Sequence, residues 1–248
     1  MADADARGLR FLGYDRPGYG GSDPHVGRTV ADAATDVAAI AAALGIRRLL
    51  VWGLSGGGPH ALACAALLPD LVAAAATVSS VAPFSAEDLD WLDGMGADNV
   101  AEFRAALAGR DELEPMLEGW RVELQAADVD GLAATFRSLV SPADARALTG
   151  EYAAYVLGAL QEGLSRGVEG WVEDDLAFVG EWGFDPKHIG VPVQVWQGGA
   201  DWFVPFPHGE WLARRIPLAD ARLLPEDGHM TLQLHRVPEV HAWLQQHV

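Results

Sequence analysis

The sequence has little cysteine, little positive charge and no long apolar run. Cys64 is the single cysteine among 248 residues, which excludes an internal disulfide and any cysteine-based metal site. Lysine and arginine together number 17 against 35 aspartate and glutamate residues, and the formal net charge of −18 makes nucleic acid and anionic membranes poor partners. No apolar run reaches the ~18 residues of a membrane-spanning helix and no signal peptide is visible, so we expect a soluble, cytoplasmic protein.

Internal repeats, low-complexity linkers and metal-ligand spacings are also missing from the sequence. No pattern of histidine and carboxylate residues indicates a metal site, and no cofactor is expected. With half of its residues hydrophobic, the chain is long enough for one sizeable core or for a core with a small insert. Helical and strand-like segments alternate along most of the chain, which is typical of the α/β class.

The most informative stretch is a strand, a turn and a helix around Ser55. Leu49–Trp52 is an apolar run with the length of a strand buried on both faces. The pattern breaks at Gly53-Leu54-Ser55-Gly56-Gly57 and then resumes with apolar residues at helical spacing. A strand, a sharp turn with serine at its apex and a helix form the context that G-x-S-x-G requires.

This turn makes Ser55 a candidate nucleophile. The turn is expected to force Ser55 into a strained backbone conformation and to lift its hydroxyl clear of the sheet. Gly53 and Gly57 are expected where a Cβ would collide with the neighbouring element. The N–H of Gly56, at the positive end of the helix, suits an oxyanion. The alternative is a tight turn that needs glycines and happens to contain serine.

The other elements are predicted from periodicity and from turn residues. In chain order they are a short helix ending at Gly8, a strand over Leu9–Tyr14, a helix capped by Thr29 and ending near Leu44, a strand over Val72–Val81, a strand over Val191–Gln197, a helix over Pro207–Arg215, a strand over Ala221–Leu224 and a closing helix over Val237–His247.

Residues 84–170 show short helical patterns without a convincing strand. Since they interrupt the α/β alternation, they are predicted to form an inserted helical cap on a core made of residues 1–83 and 171–248. A cap needs its own hydrophobic core, so each large side chain there is more often structural than ligand-binding. The candidates for the substrate pocket are Leu54, Trp120, Tyr155, Trp202 and Met230.

A serine hydroxyl needs a base, and the base needs an orienting partner. Asp201 directly follows a predicted strand, at the edge where open α/β sheets bind ligands. His229 lies in the loop after the last strand, so the order along the chain is Ser, Asp, His. The alternative to these catalytic roles is that Asp201 caps the helix that follows it and that His229 is an ordinary loop histidine. The rival acids are Asp174, Asp175 and Asp227.

Four segments together resemble the α/β-hydrolase fold family. They are the turn at 53–57, Gly198-Gly199-Ala200-Asp201, Asp227-Gly228-His229 and the loop Asp15-Arg16-Pro17-Gly18-Tyr19-Gly20. The resemblance implies a mostly parallel sheet with helices on both faces and an inserted helical cap. It also implies catalytic roles for three of the candidates, with Ser55 as nucleophile, His229 as general acid and base and Asp201 as orienting carboxylate. Gly56 would supply one oxyanion-hole N–H.

The chain departs from the family pattern at its beginning. The family carries a His-Gly segment after its third strand, whereas here the Leu9–Tyr14 strand would be the fourth and little precedes it. His208-Gly209, near the C-terminus, cannot take that role. We expect an N-terminally short fold, explained by truncation, by direct pairing of Leu9–Tyr14 with the Ser55 strand, or by a second copy of the chain completing the sheet in a homo-oligomer.

The functional expectation is a serine hydrolase that cleaves a small apolar carboxylic ester through an acyl-enzyme. Serine at the turn speaks against the haloalkane dehalogenases and epoxide hydrolases of this fold, which use a carboxylate nucleophile. Amide, thioester, lactone, C–C and peptide bonds remain open as substrates, because the same triad serves them all. Nothing specific in the sequence favours a perhydrolase. The alternative from another class is a catalytically weak or inactive protein of this fold that binds a small ligand.

Overall fold

The sheet is parallel throughout and belongs to the α/β class, as predicted. The computed structural model describes residues 2–247, with strand order β1-β2-β3-β4. Trp52 lies opposite Ala76, and Thr77 lies opposite Val195. The strands are β1 (Leu49–Leu54), β2 (Val72–Val78), β3 (Val193–Gly198) and β4 (Ala219–Leu224).

Helices lie on both faces of this sheet. Ala75 on β2 belongs to the core formed with α2, α3 and α10, whereas Ala76 faces α11. The described α-helices are α1 (Ala2–Ala6), α2 (Asp32–Ala43), α3 (Gly57–Leu67), α4 (Ala97–Ala108), α5 (Arg110–Ala126), α6 (Leu132–Thr135), α7 (Pro142–Ala147), α8 (Gly150–Gly163), α9 (Glu169–Val179), α10 (Phe206–Arg215) and α11 (His229–Leu244). Short 3-10 helices lie between or after these elements, at Arg137–Leu139, Pro186–His188 and Gln245–His247.

Small side chains let β2 sit between two layers of helices. Its sequence, VAAAATV, is buried at six of seven positions, and its alanines allow α3 and α11 to approach closely. Because all four strands run in the same direction, their carboxyl ends share one edge of the sheet. The turns after Leu54 and after Gly198 therefore open at that edge, which is where α/β proteins bind ligands.

Between β2 and β3 the described chain forms helices and no strand. Helices α4 and α5 pack with α9 around Leu113, Leu117 and Val172, and a second apolar cluster joins α5, α6 and α8. The predicted cap boundary at residue 170 falls within α9, which continues to Val179. None of the described helices is both long and apolar enough to span a bilayer.

The predicted strand over Leu9–Tyr14 is wrong, because this segment has no regular secondary structure. The N–H of Leu9 donates to Ala4 of α1, and the Phe11 ring packs beside Trp52 with ring centroids 6.5 Å apart. The segment thus covers part of β1 with side chains and adds no strand to the sheet. Direct pairing with the Ser55 strand is therefore also wrong, and among the described residues β1 is an edge strand.

The end of β2 and the start of the last helix also differ from the predictions. β2 ends at Val78 and does not reach Val81, because Ser79 has a φ of +52°, which a strand does not allow. The last helix begins at His229, well before the predicted Val237, and continues through Pro238. The sequence pattern did not predict the first two turns of this helix, because the residue that caps their N-terminus is far away in the sequence.

Candidate active site

The predicted nucleophile sits at a strained turn between β1 and α3. Ser55 has a φ of +52°, which is rare for any residue other than glycine, and its N–H donates to the Val78 carbonyl at 2.8 Å. A Cβ at Gly53 would collide with the backbone of Gly57, as expected. The expectation for Gly57 itself is wrong, because a Cβ there would meet open space. It is Gly58 that packs tightly, against Ser80.

Asp201, which follows β3, and His229, which follows β4, are in direct contact. His229 Nδ1 lies 2.9 Å from Asp201 Oδ2, and both residues are buried. The other carboxylate oxygen of Asp201 accepts the N–H groups of Phe203 and Val204 at 2.9 and 2.8 Å. Asp201 is not the cap of α10, which begins at Phe206 with Pro205 in the N-cap position. Its carboxylate is therefore fixed with one oxygen towards the imidazole.

Glycines allow the two loops that carry these residues to touch. A Cβ at Gly198 would collide with the Asp227 carbonyl, and one at Gly199 would collide with Pro225. The contact is completed by the N–H of Ala200, which donates to Asp227 at 2.9 Å. The sequence Gly198-Gly199 thus brings the loop of Asp201 against the loop of His229.

The charged groups around His229 favour the protonated form of its imidazole. Burial lowers the pKa of His229, but the charge and hydrogen bond of Asp201, together with the charge of Asp144, outweigh it and raise the pKa above 6.5. The Phe203 ring stacks on the imidazole with centroids 4.5 Å apart. No hydrogen bond joins Ser55 Oγ to His229 in the described part of the chain. Ser55 and Phe203 line the same cavity, whereas Asp201 and His229 are not among the residues that line it.

Asp144, on α7, anchors the segment that begins with His229, and sequence reasoning did not find it. Its carboxylate accepts the N–H groups of His229, Met230 and Thr231 at 3.0, 2.8 and 3.2 Å. These are donors that the first turn of α11 leaves without partners inside the helix. Ser141 caps the start of α7, but no local signal in the sequence points from Asp144 to residues 85 positions later.

Asp144→Ala is expected to lower the stability by about 2 kcal/mol, since three charge-assisted hydrogen bonds are lost at a buried helix N-terminus. For a chain of this size that is ~4–8 °C in melting temperature. Removal of the Asp144 charge also lowers the pKa of His229, so the acidic limb of the pH–rate profile should move to lower pH. Calorimetry and kcat/KM measured against pH check both effects.

The matched control is Asp128→Ala, which removes a local cap of Gly131 in the same helical region. It should lower the melting temperature by less and leave the acidic limb in place. A pH profile that is unchanged in Asp144→Ala, on a folded protein, would contradict the anchoring role.

A cavity of about 400 Å³ lies beside Ser55 under the helices that connect β2 and β3. Leu54, Gly56 and Trp120 line it, as does the loop of Arg16 and Tyr19. Its wall is mostly aromatic and apolar, with several acidic side chains. The aromatic members are Tyr19, Phe103, Trp120, Phe136, Trp171, Phe178 and Phe203.

Three residues expected at the pocket do not line this cavity. Tyr155 is 64% exposed on the outer face of α8, and Trp202 is 42% exposed. Met230 is buried, but it packs into the helical cluster beside Tyr152, whose hydroxyl reaches the Met230 carbonyl at 3.3 Å. Trp202 and Met230 directly follow Asp201 and His229 in the sequence, but the direction in which their side chains point could not be predicted.

The rival acids are engaged elsewhere. Asp174 forms ion pairs with Arg16 and Arg28, and its carboxylate also contacts Tyr19 and His60. Although burial raises the pKa of Asp174, Arg16, His60 and Arg28 hold it well below its usual range. This cluster fixes the Arg16–Tyr19 loop to α9 and gives His60 a structural partner.

Asp227, the rival acid two residues before His229, pairs with Arg236 at 3.1 Å. Asp175, the remaining rival, lies on the cavity wall against Glu102. The hydrogen bonds of the described residues give neither carboxylate a bond to His229. Asp201 is therefore the carboxylate that orients the imidazole.

The chain matches the model of the α/β-hydrolase fold family over residues 1–235 and belongs to that family. A non-heme chloroperoxidase of Streptomyces lividans is 40% identical over 105 residues, which are 42% of this chain and 38% of that protein. The match thus spans well under half the length of this relative.

Solved structures share the same fold over nearly the whole chain. A bromoperoxidase from Bacillus anthracis superposes with a TM-score of 0.71 at 17% identity, covering 98% of this chain and 83% of the other. An esterase from Exiguobacterium antarcticum gives a TM-score of 0.67 at 20% identity, covering 98% and 85%. At such identities the likeness shows the fold and leaves the activity open.

Proposed function

We propose that the protein is a serine hydrolase that cleaves a small carboxylic ester through an acyl-enzyme. Ser55 attacks the acyl carbon while His229 takes the hydroxyl proton, and His229 then gives that proton to the leaving alcohol. Asp201 holds the Nδ1–H of the imidazole, and the N–H of Gly56 stabilises the oxyanion. Water activated by His229 then releases the acid from Ser55.

The observation that carries this proposal is the buried Asp201–His229 pair at the same edge of the parallel sheet as Ser55. A carboxylate 2.9 Å from Nδ1 sets the tautomer in which Nε2 is free to accept a proton. A serine at φ +52° between a strand and a helix is the arrangement that exposes a nucleophile in this fold. The apolar and aromatic wall of the cavity supports a small, largely apolar acyl or alcohol group.

The test is covalent labelling with a fluorophosphonate, followed by mass spectrometry of the proteolytic peptides. We expect one adduct, on the peptide that contains Ser55, and competition from short-chain p-nitrophenyl esters. A folded protein without an adduct would support the alternative, in which the cavity binds a small ligand and no acyl-enzyme forms. An adduct on another serine would reject Ser55 as the nucleophile.

The similarity to a chloroperoxidase favours peracid formation as a second candidate. Hydrogen peroxide would replace water at the acyl-enzyme, giving a peracid and the free Ser55 hydroxyl. Peracid formed from an ester and hydrogen peroxide, at a rate above that of ester hydrolysis alone, would identify this activity.

A further inference from the structure

Two buried carboxyl groups, Glu102 on α4 and Asp175 on α9, meet on the wall of the cavity next to Ser55. They are 5% and 3% exposed. Trp171 donates its indole N–H to Glu102 at 2.6 Å. Asp175 and Glu102 are close enough to share a hydrogen bond when one of them is protonated, but no other group donates to Asp175 Oδ2 in the described part of the chain. An unpartnered oxygen on a buried carboxyl group is costly unless a ligand completes its bonding.

The other acidic groups of the cavity wall have their own cations. Asp174 pairs with Arg16 and Arg28, and Asp98 and Glu123 lie beside Arg137. No ion pair within the described residues involves Glu102 or Asp175. The wall of the cavity therefore carries two carboxyl groups whose charge no guanidinium balances.

Burial disfavours the ionised form of both carboxyl groups. Burial raises the pKa of Glu102 to about 7, and burial together with the charge of Glu102 raises the pKa of Asp175 well above its usual range. A cation placed between the two carboxyl groups would reverse this, because it would favour the charged form of both. Aromatic rings close to a carboxylate suit an ammonium group in particular, and Trp120 and Trp171 lie on the same wall with centroids 6.1 Å apart.

We propose that Glu102 and Asp175 bind the ammonium group of an amine-bearing substrate, whose acyl carbon then lies at Ser55. This assignment deepens the proposed hydrolase function and rests on it for the reaction, although the binding itself does not require Ser55. The substrate class is an ester or related acyl compound with a primary amine a few methylene groups from the scissile bond. The aromatic wall covers the methylene chain, and the carboxyl pair recognises its charged end.

Binding of n-hexylamine and of hexan-1-ol to the full chain at pH 7.5 tests the recognition step without any reaction. Calorimetry should show the amine bound at least ~10-fold more tightly than the alcohol. Glu102→Gln and Asp175→Asn keep the shape and volume of the side chains. Each should weaken the binding of the amine at least ~10-fold and change the binding of the alcohol by less than ~2-fold. Glu112→Gln, which removes an exposed charge on α5, is the matched control and should change neither.

Rates of ester hydrolysis test whether Glu102 and Asp175 also select the substrate that reacts at Ser55. For the native chain, kcat/KM for the p-nitrophenyl ester of 6-aminohexanoate should exceed that for the isosteric heptanoate ester by ~10-fold or more, and both carboxyl variants should abolish the preference. Equal binding of amine and alcohol by the native chain overturns the proposal, whatever the variants do. Selective amine binding without turnover of either ester keeps the ammonium site and rejects the hydrolase, so the two failures are distinguishable.

Discussion

Replacing Ser55 by alanine is expected to lower kcat/KM for a p-nitrophenyl ester by about 10⁴- to 10⁶-fold. The reason is that no acyl-enzyme can form once the hydroxyl is gone, and the remaining groups only polarise a bound ester. Alanine keeps the Cβ that the φ of +52° already accommodates, so the turn between β1 and α3 should persist. Steady-state kinetics, with calorimetry to verify folding, measures the effect.

The control for this substitution is Ser85→Ala, which removes an exposed hydroxyl in the segment after β2. It should keep full activity and full labelling by a fluorophosphonate. If Ser55→Ala retained more than about a tenth of the native rate, the nucleophile would lie elsewhere and the acyl-enzyme route through this turn would be wrong.

Local sequence patterns were enough to predict the features that depend on neighbouring residues. The Ser55 turn is one, because an apolar strand, a pair of glycines and a helical pattern follow one another within fourteen positions. The contact of Asp201 with His229 was predicted from chain order and the family resemblance. It follows physically from parallel strands that end at the same edge of the sheet.

The prediction failed where the outcome depends on a neighbour in space. Leu9–Tyr14 has the composition of a strand, but a strand also needs a partner for its backbone groups, and Leu9 uses its N–H on α1 instead. Similarly, Gly57 and Gly58 are indistinguishable in the sequence, and only the position of Ser80 makes the second one obligatory.

Asp144 and Glu102 are the residues around the site that sequence reasoning missed, and both contact partners far away in the sequence. Asp144 contacts a helix that begins 85 residues later, and Glu102 meets Asp175 across two helices of the connecting region. Each looks like an ordinary acidic residue on a helix when the sequence is read alone. Their roles appear only when burial and missing partners are known, since a buried carboxyl group must be matched by donors or cations.

Asp201→Asn is expected to lower kcat/KM by about 10⁴-fold while the protein stays folded. The amide oxygen can still accept the N–H groups of Phe203 and Val204 in place of Oδ1. The amide nitrogen would then face His229 Nδ1 as a donor, which stabilises the tautomer with its proton on Nε2. In that tautomer the imidazole cannot take the Ser55 proton, so the base is lost although its position is kept.

The pH profile distinguishes this mechanism from a loss of structure. A general base must be neutral, so activity rises with pH through the pKa of His229, and Asp201 contributes to raising that pKa. The residual activity of Asp201→Asn should therefore have its acidic limb at lower pH than the native protein. Asp227→Asn removes a carboxylate two residues from His229 that pairs with Arg236, and should reduce kcat/KM by less than ~3-fold. If Asp227→Asn caused the larger loss, or if Asp201→Asn stayed within ~10-fold of the native rate, another acid would have to orient His229.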